Sequence, residues 1–211
     1  KYKFNLFMNR KIKIICFDLD GVLIDSINNM SFSWDMTCKK NNLKIPFSRY
    51  RKHIGLPFFK ILKNLNLKSN YKKINNDYNN ASKEKIDLIK FYLGTKNTLK
   101  DLKKKFILGI ITSKNKDRVN KILKKFKISF DFVFTPDDIN RGKPYPDAIF
   151  EIVKKYNIKS SEIIYIGDTL NDSKFAKNAK INFLFADWGY GTTKNKKLKK
   201  INKISDIYKF L

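Results

Sequence analysis

Cysteine and histidine are nearly absent from this chain: Cys16, Cys38 and His53 are their only occurrences in 211 residues. Two cysteines without metal-ligand spacing cannot build a disulfide framework, so they read as reduced thiols of a cytoplasmic protein. No apolar run approaches the ~20 residues that cross a bilayer, and no signal peptide is evident, which argues against a membrane partner. Glycine and proline are sparse, at 8 and 5, while 42% of the residues are apolar and 14% aromatic. That composition excludes a low-complexity chain and leaves enough apolar mass for a sizeable core. There is no internal repeat and no disordered linker. The chain begins at Lys1 and Met8 could serve as a start codon, so residues 1–7 read as tag or read-through.

Acid is also scarce. Nineteen Asp and Glu face 46 Lys and Arg, a formal charge of +27. A charge of that size could recruit nucleic acid or steer a small anion. Yet the lysines are scattered, and the abundance of Lys, Asn, Ile, Phe and Tyr matches the codon bias of an AT-rich genome. The densest run, Lys194, Lys196, Lys197, Lys199 and Lys200, reads as solvated surface. No nucleic-acid-binding motif is recognisable, so a basic binding protein is the weaker reading.

Against this background the acids that do occur stand out. Asp18 and Asp20 follow the apolar run Ile12–Phe17 and precede Gly21. Residues two apart on an extended chain point the same way, and two carboxylates held together need a cation or a shared proton. Further short apolar runs, Phe106–Ile111, Phe132–Phe134, Ile163–Ile166 and Ile181–Phe185, also read as strands. Helical patterns at Leu99–Lys104, Val119–Phe126, Ala148–Tyr156 and Leu170–Ala179 alternate with them, and Asp147 reads as a helix cap. The alternation predicts an α/β fold with a doubly wound parallel sheet, whose ligands bind beyond the carboxyl ends of the strands. Between Ser26 and Tyr92 the rhythm breaks into three helical segments, Ile27–Asn42, Phe58–Leu65 and Asn70–Phe91. An insertion at that point would lie over the crevice as a lid. The expected division is therefore a core of residues 10–25 and 93–211 and a helical cap of residues 26–92.

Each strand end carries chemistry: Asp18 and Asp20, then Thr112-Ser113-Lys114, then Gly142-Lys143-Pro144, then Gly167-Asp168 with Asp172 four residues on. Singly, each has a plain structural explanation, as a turn, a strand end, one lysine among many or a helix cap. In this order the chain resembles the haloacid dehalogenase superfamily of phosphatases, in its phosphoglycolate phosphatase-like group with a helical cap. The resemblance runs from Ile12 to about Gly191. It implies a Rossmann-like core and a magnesium-dependent phosphatase acting on a small phosphorylated metabolite, as a monomer or homodimer. It further implies that Asp18 is the nucleophile and Asp20 the general acid and base. Thr112 and the backbone at Ser113 would bind phosphoryl oxygens, and Lys143 would offset charge. Asp18, the carbonyl of Asp20, Asp168 and, directly or through water, Asp172 would hold Mg2+. Arg51 and His53, in the insertion's loop Arg49–Pro57, are the candidates for the far end of the substrate. Asp187-Trp188-Gly189-Tyr190-Gly191 also resembles that group and reads as structure more than as a substrate contact.

Within the resemblance, dehalogenases carry an aromatic residue and phosphonoacetaldehyde hydrolases an alanine where Asp20 stands, so Asp20 argues against both. A sugar phosphomutase of the beta-phosphoglucomutase type usually has Glu-Asp in its last motif. Gly167-Asp168 here favours hydrolysis.

Overall fold

The computed structural model describes residues 11–211; residues 1–7, read above as tag or read-through, lie outside the described residues. Six parallel strands form the central sheet: β1 (Ile14–Phe17), β4 (Ile107–Ile111), β5 (Phe132–Phe134), β6 (Ile163–Gly167), β7 (Asn182–Ala186) and β8 (Lys200–Ile201). Their order is β5-β4-β1-β6-β7-β8. The first strand lies in the middle, and the chain builds outward on one side before returning to build on the other. The topological switch therefore falls around the carboxyl end of β1.

Strand period explains the layering. In β1, Ile15 and Phe17 enter one core, which also takes Leu108, Ile110, Ile164 and Ile166. Ile14 and Cys16 enter the opposite core, with Ile111, Ile163, Tyr165 and Phe175. Both faces are covered, so β1 is buried throughout and reads as an unbroken apolar run. The helices α5 (Thr95–Leu102), α6 (Lys116–Phe126), α7 (Asp147–Tyr156) and α8 (Leu170–Ala179) supply the cover. Asp147 opens α7 as its first residue, and its carboxylate takes a two-pronged bond from Arg141 in place of a side-chain cap.

A two-residue strand, β2 (Ile24–Asp25), leads to the helical excursion α1 (Ile27–Lys40), α2 (Phe47–Arg51), α3 (Phe58–Asn64) and α4 (Tyr71–Glu84). The return strand β3 (Lys90–Phe91) pairs antiparallel with β2. The helix expected over Asn70–Phe91 thus ends at Glu84. Beyond it, Ile86, Ile89 and Phe91 pack on the main core while residues 90–91 bond to β2, and one continuous helix could not do both. Arg49 to Arg51, expected in a loop, close the short helix α2. The strand β8 and the 3-10 segment Ile204–Phe210 were not anticipated. The tail lysines 194, 196, 197, 199 and 200 are exposed as expected. Among the described residues no helix is long and apolar enough to cross a membrane.

The excursion has its own apolar centre. Residues at helical spacing on α1 (Met30, Trp34, Cys38) and on α4 (Ile74, Tyr78, Ala81) are buried, and Trp34, Tyr50, Ile61, Leu62 and Tyr78 form a common cluster. Polar ties fix the pair of long helices. Asn29 donates to the carbonyls of Ser82 and Lys85 at 3.0 and 2.8 Å. Asp77 accepts from Asn41 at 2.9 Å and pairs with Lys40 at 2.6 Å and Lys73 at 3.3 Å. Bonds from Lys40 and Asn41 outweigh burial and lower the Asp77 carboxyl from the usual 3.8 to about 2. A depressed carboxyl stabilises the fold above its unfolded-state value and loses that contribution as pH falls through the folded one. Asp77→Asn should therefore cost about 1–2 kcal/mol at pH 7, allowing for the exposure of both lysines. Urea titrations of the two proteins should converge between pH 4 and 2, and a constant gap over that range would refute the assignment.

Candidate active site

Four strand ends converge at the switch point. The Asp18 backbone continues the β1 ladder by donating to the Ile166 carbonyl at 2.8 Å, which fixes its side chain beyond the sheet edge. Its Oδ1 accepts from the Leu19 N–H at 2.8 Å, and its Oδ2 lies 3.1 Å from Lys143 Nζ. Lys143 Nζ also meets Asp172 Oδ1 at 2.6 Å and the Tyr165 hydroxyl at 2.9 Å. All four side chains are buried. Among the described residues Lys143 is the one cation within 4 Å of Asp18 or Asp172.

Asp172 serves two structures at once. Its Oδ2 accepts from Thr169 N at 3.0 Å and Thr169 Oγ1 at 2.5 Å, closing a capping box at the start of α8. Its Oδ1 holds Lys143 and faces the Tyr165 hydroxyl at 2.9 Å. Read from the sequence as a helix cap or as a holder of the metal, Asp172 caps α8 and grips Lys143.

Asp168 Oδ2 accepts from the Tyr190 N–H at 2.7 Å, whereas its Oδ1 is buried without a hydrogen-bond partner. The turn of residues 187–191 therefore positions an acid, and Tyr190 and Gly191 also line an outer groove described below. Carboxylate oxygens of Asp18, Asp168 and Asp172 lie within 4.8 Å of one another. Burial, joined by Asp172 and Asp18, holds the Asp168 carboxyl well above its ordinary range. Burial pushes Asp18 up to about 7; Lys143 opposes this, and Asp172 and Asp20 add to it. For Lys143 burial works against the charge, but Asp172 and Asp18 prevail and its pKa is raised. A buried oxygen lacking a donor, beside two more carboxylates, is the donor set of a hard divalent cation. The residues present fit such an ion.

Gly21 makes the approach possible. It sits at φ +81°, and a Cβ there would fall 2.2 Å from Asp168 Oδ2.

Asp20 finds its partners outside the carboxylate trio. Its Oδ1 accepts from Ser26 Oγ at 2.5 Å and its Oδ2 pairs with Lys114 Nζ at 3.1 Å. Lys114 is buried, and desolvation lowers its pKa to about 8 although Asp20 supports the charge. Thr112 extends the β4–β5 ladder, donating to the Phe134 carbonyl at 3.0 Å, and its Oγ1 accepts from Lys114 N at 3.2 Å.

Asp18, Asp20, Thr112, Ser113 and Lys114 line one cavity of about 50 Å³. Its roof comes from the excursion: Met30, Tyr50, Ile54, Gly55, Leu56, Phe58, Ile61 and Tyr78. The two halves touch at Gly55, whose carbonyl accepts from Ser113 Oγ at 3.2 Å and Asn171 Nδ2 at 3.1 Å. Gly55 has φ +94°, and a Cβ there would press on Thr169 at 2.8 Å.

Arg51 and His53 are not brought to this cavity. Arg51 is exposed, and both line an outer groove with Leu170, Asn171, Lys174 and Tyr190. Ile54 and Leu56 line both spaces, and Gly55 lines the cavity. The buried cations of the cavity are Lys114 and Arg118. In the sequence Lys114 is only part of the run Thr112-Ser113-Lys114 with no role of its own, and Arg118 is not singled out, because 46 basic residues mask the few that are enclosed. Tyr165 was missed as well, being one more apolar position in a buried strand.

Comparison with known proteins agrees with this geometry. The chain is 33% identical over 182 residues to pyrophosphatase PpaX of Bacillus velezensis, covering 81% of each. It is 27% identical over 198 residues to phosphoglycolate phosphatase of Pseudomonas fluorescens, covering 88% of this chain and 73% of that one. A solved structure from Lactobacillus plantarum superposes with TM-score 0.87 at 20% identity, covering 96% of this chain and all of the other. A hydrolase from Pseudomonas syringae superposes with TM-score 0.81 at 23% identity, over 94% and 97%. Those two establish likeness of fold. The sequence profile described as haloacid dehalogenase-like hydrolase matches residues 15–186, so the chain belongs to that family.

Proposed function

We propose that this hydrolase is a magnesium-dependent phosphatase, cleaving a small phosphomonoester through an aspartyl-phosphate on Asp18. The observation that carries the reading is the enclosed Asp18 carboxylate, gripped by Lys143 and facing the same cavity as Asp20 and Thr112. Membership of a hydrolase family and relatives named as phosphatases support it.

Asp18 attacks phosphorus as the bond to the leaving oxygen breaks, and Asp20 delivers a proton to that oxygen. Water then attacks the aspartyl-phosphate while Asp20 takes its proton, releasing phosphate and restoring Asp18. A carboxylate is a weak nucleophile, so rate comes from position and charge neutralisation. Lys143, itself aimed by Asp172 and Tyr165, supplies a fixed positive charge beside Asp18. Thr112 and the backbone at Ser113 hold phosphoryl oxygens. Asp18, Asp168 and the main-chain carbonyl of Asp20 would hold Mg2+, which when bound neutralises charge on the phosphoryl group. Asp172, with its oxygens engaged by Lys143, Tyr165 and Thr169, orients that lysine and the Asp168 loop. In this reading residues 26–92 act as a cap over the core of residues 10–25 and 93–211, and the Gly55 carbonyl is its point of closure. Pyrophosphate and phosphoglycolate are the first substrates to test.

Wild type should release nitrophenol from p-nitrophenyl phosphate with Mg2+, stop on chelation, and lose turnover in Asp18→Asn. Activity surviving in that variant refutes the nucleophile assignment. Millimolar Mg2+ should raise the Tm of wild type and leave Asp168→Asn unmoved.

Removing Lys143 leaves neighbouring buried carboxylates without their cation. Lys143→Met in chelator should lose about 3–5 kcal/mol at pH 8. The unfolded chain ionises these acids near pH 4, whereas the folded variant retains protons to higher pH. Its deficit against wild type should therefore grow from pH 5 to 8 in urea titrations. An equal deficit at both pH values contradicts the charge argument.

Gly55→Ala places a Cβ against Thr169 at positive φ, straining the seam by about 1 kcal/mol or more. A raised KM with an undiminished Mg2+ effect on Tm is the expected result. An unchanged KM removes Gly55 from closure.

A further inference from the structure

Arg118 stands in the first turn of α6, which Asn115 starts by accepting the Arg118 N–H at 3.3 Å. There Arg118 lines the cavity that holds Asp18 and Asp20, and borders a neighbouring one beside Asn115 and Asp137. The residue is 92% buried by its 8% exposure, yet no carboxylate among the described residues pairs with it. Its Nε is buried without a hydrogen-bond partner. The guanidinium meets Tyr78, whose ring centre lies 5.1 Å from Cζ and to which it also hydrogen-bonds, and the Tyr50 hydroxyl donates to that of Tyr78 at 3.1 Å.

The charges of the cavity can be matched. Asp18 shares Lys143 with Asp172, and Asp20 is answered by Lys114. Arg118 is left over. An aromatic face compensates a buried guanidinium only in part, and an enclosed cation without a counter-ion is costly. A planar fork with a free Nε–H and no carboxylate partner, enclosed next to a phosphoryl site, suits a second anionic group on the same molecule. The cavity of about 50 Å³ sets its reach. A water needs roughly 10–15 Å³ on this scale, so only a few atoms fit between the phosphorus and the second anion.

We propose that Arg118 is the specificity-determining residue of this site. It reads a carboxylate or second phosphoryl group on a short phosphate ester or anhydride, with Tyr50 and Tyr78 forming the wall behind it. Discrimination among substrates then lies partly on a helix of the core, and not solely on the inserted helices. The proposal rests on the phosphatase reading, deepening it to a substrate class.

The test compares kcat/KM for phosphoglycolate, inorganic pyrophosphate and ethyl phosphate in wild type, Arg118→Met and Arg118→Lys. Met keeps the stem against Tyr78, and Tm checks the fold of each protein. Loss of the charge-assisted fork should lower the ratio of two-anion to one-anion substrate by about 10- to 100-fold, mainly through KM, with Lys intermediate. A fall confined to phosphoglycolate names a carboxylate, and one confined to pyrophosphate names a phosphoryl group. A ratio unchanged by Met overturns the proposal, even if overall activity drops, because that drop would be structural. Should Arg118→Met not fold, the Lys variant supplies the same ratio. Should wild type hydrolyse none of the three, the phosphatase reading fails while calorimetric binding still decides on Arg118. In the Asp18→Asn background, phosphoglycolate must bind more tightly than ethyl phosphate, and the difference must vanish with Arg118→Met. Equal binding of both ligands with Arg118 present ends the proposal.

Discussion

Mutual repulsion among three enclosed carboxylates is the constraint around which this protein is arranged. Asp18, Asp168 and Asp172 are each at most 4% exposed, with oxygens close enough to share an ion. Like charges at such range in a poorly hydrated place raise one another's pKa, and a fold carries that cost only where something offsets it. The offsets are visible. Lys143 lies between two of the acids, Thr169 and a helix start take one oxygen of Asp172, and a main-chain N–H takes one oxygen of Asp168. The remaining oxygen of Asp168 is the place left for a cation.

The sheet's parallel topology makes this concentration of charge possible. Every strand of a parallel sheet ends at the same edge, so loops far apart in sequence deliver side chains to one crevice. The rigid part of the site is delivered by β1, β4 and β6, whose residues are buried on both faces. The apolar roof arrives separately from α1–α4 and touches the core at the Gly55 carbonyl, which accepts from Ser113 and Asn171. The carboxylates and the apolar roof above them thus come from two packing units with separate hydrophobic centres.

The long strands and amphipathic helices were legible because period and burial agree. Ile14, Ile15, Cys16 and Phe17 alternate between two apolar layers, and Leu170–Ala179 forms a helix with the bounds read from its pattern. The acids at strand ends were legible because carboxylates are scarce and sit where apolar runs stop. Two-residue strands such as Ile24–Asp25 and Lys200–Ile201 have no period to detect, and their pairing is decided by tertiary contact. Lys114 and Arg118 failed to stand out for the opposite reason. In a chain this basic, residue type says nothing about which cation is enclosed, and only the position two residues past Thr112 and one turn into α6 hints at it. Arg51 and His53 illustrate the same limit. Being rare or forked made them conspicuous, but Arg51 at the end of α2 and His53 in the turn after it both line the outer groove.

The narrow β2–β3 ribbon has a bearing on how such a protein varies. Outgoing and returning chains run side by side, with Ile24 opposite Phe91 and Asp25 opposite Lys90. An excursion whose two ends are adjacent can be lengthened, shortened or exchanged between those points without shifting any strand of the main sheet. The acids would stay in place under a different roof, and one catalytic floor could be inherited intact beneath many ceilings.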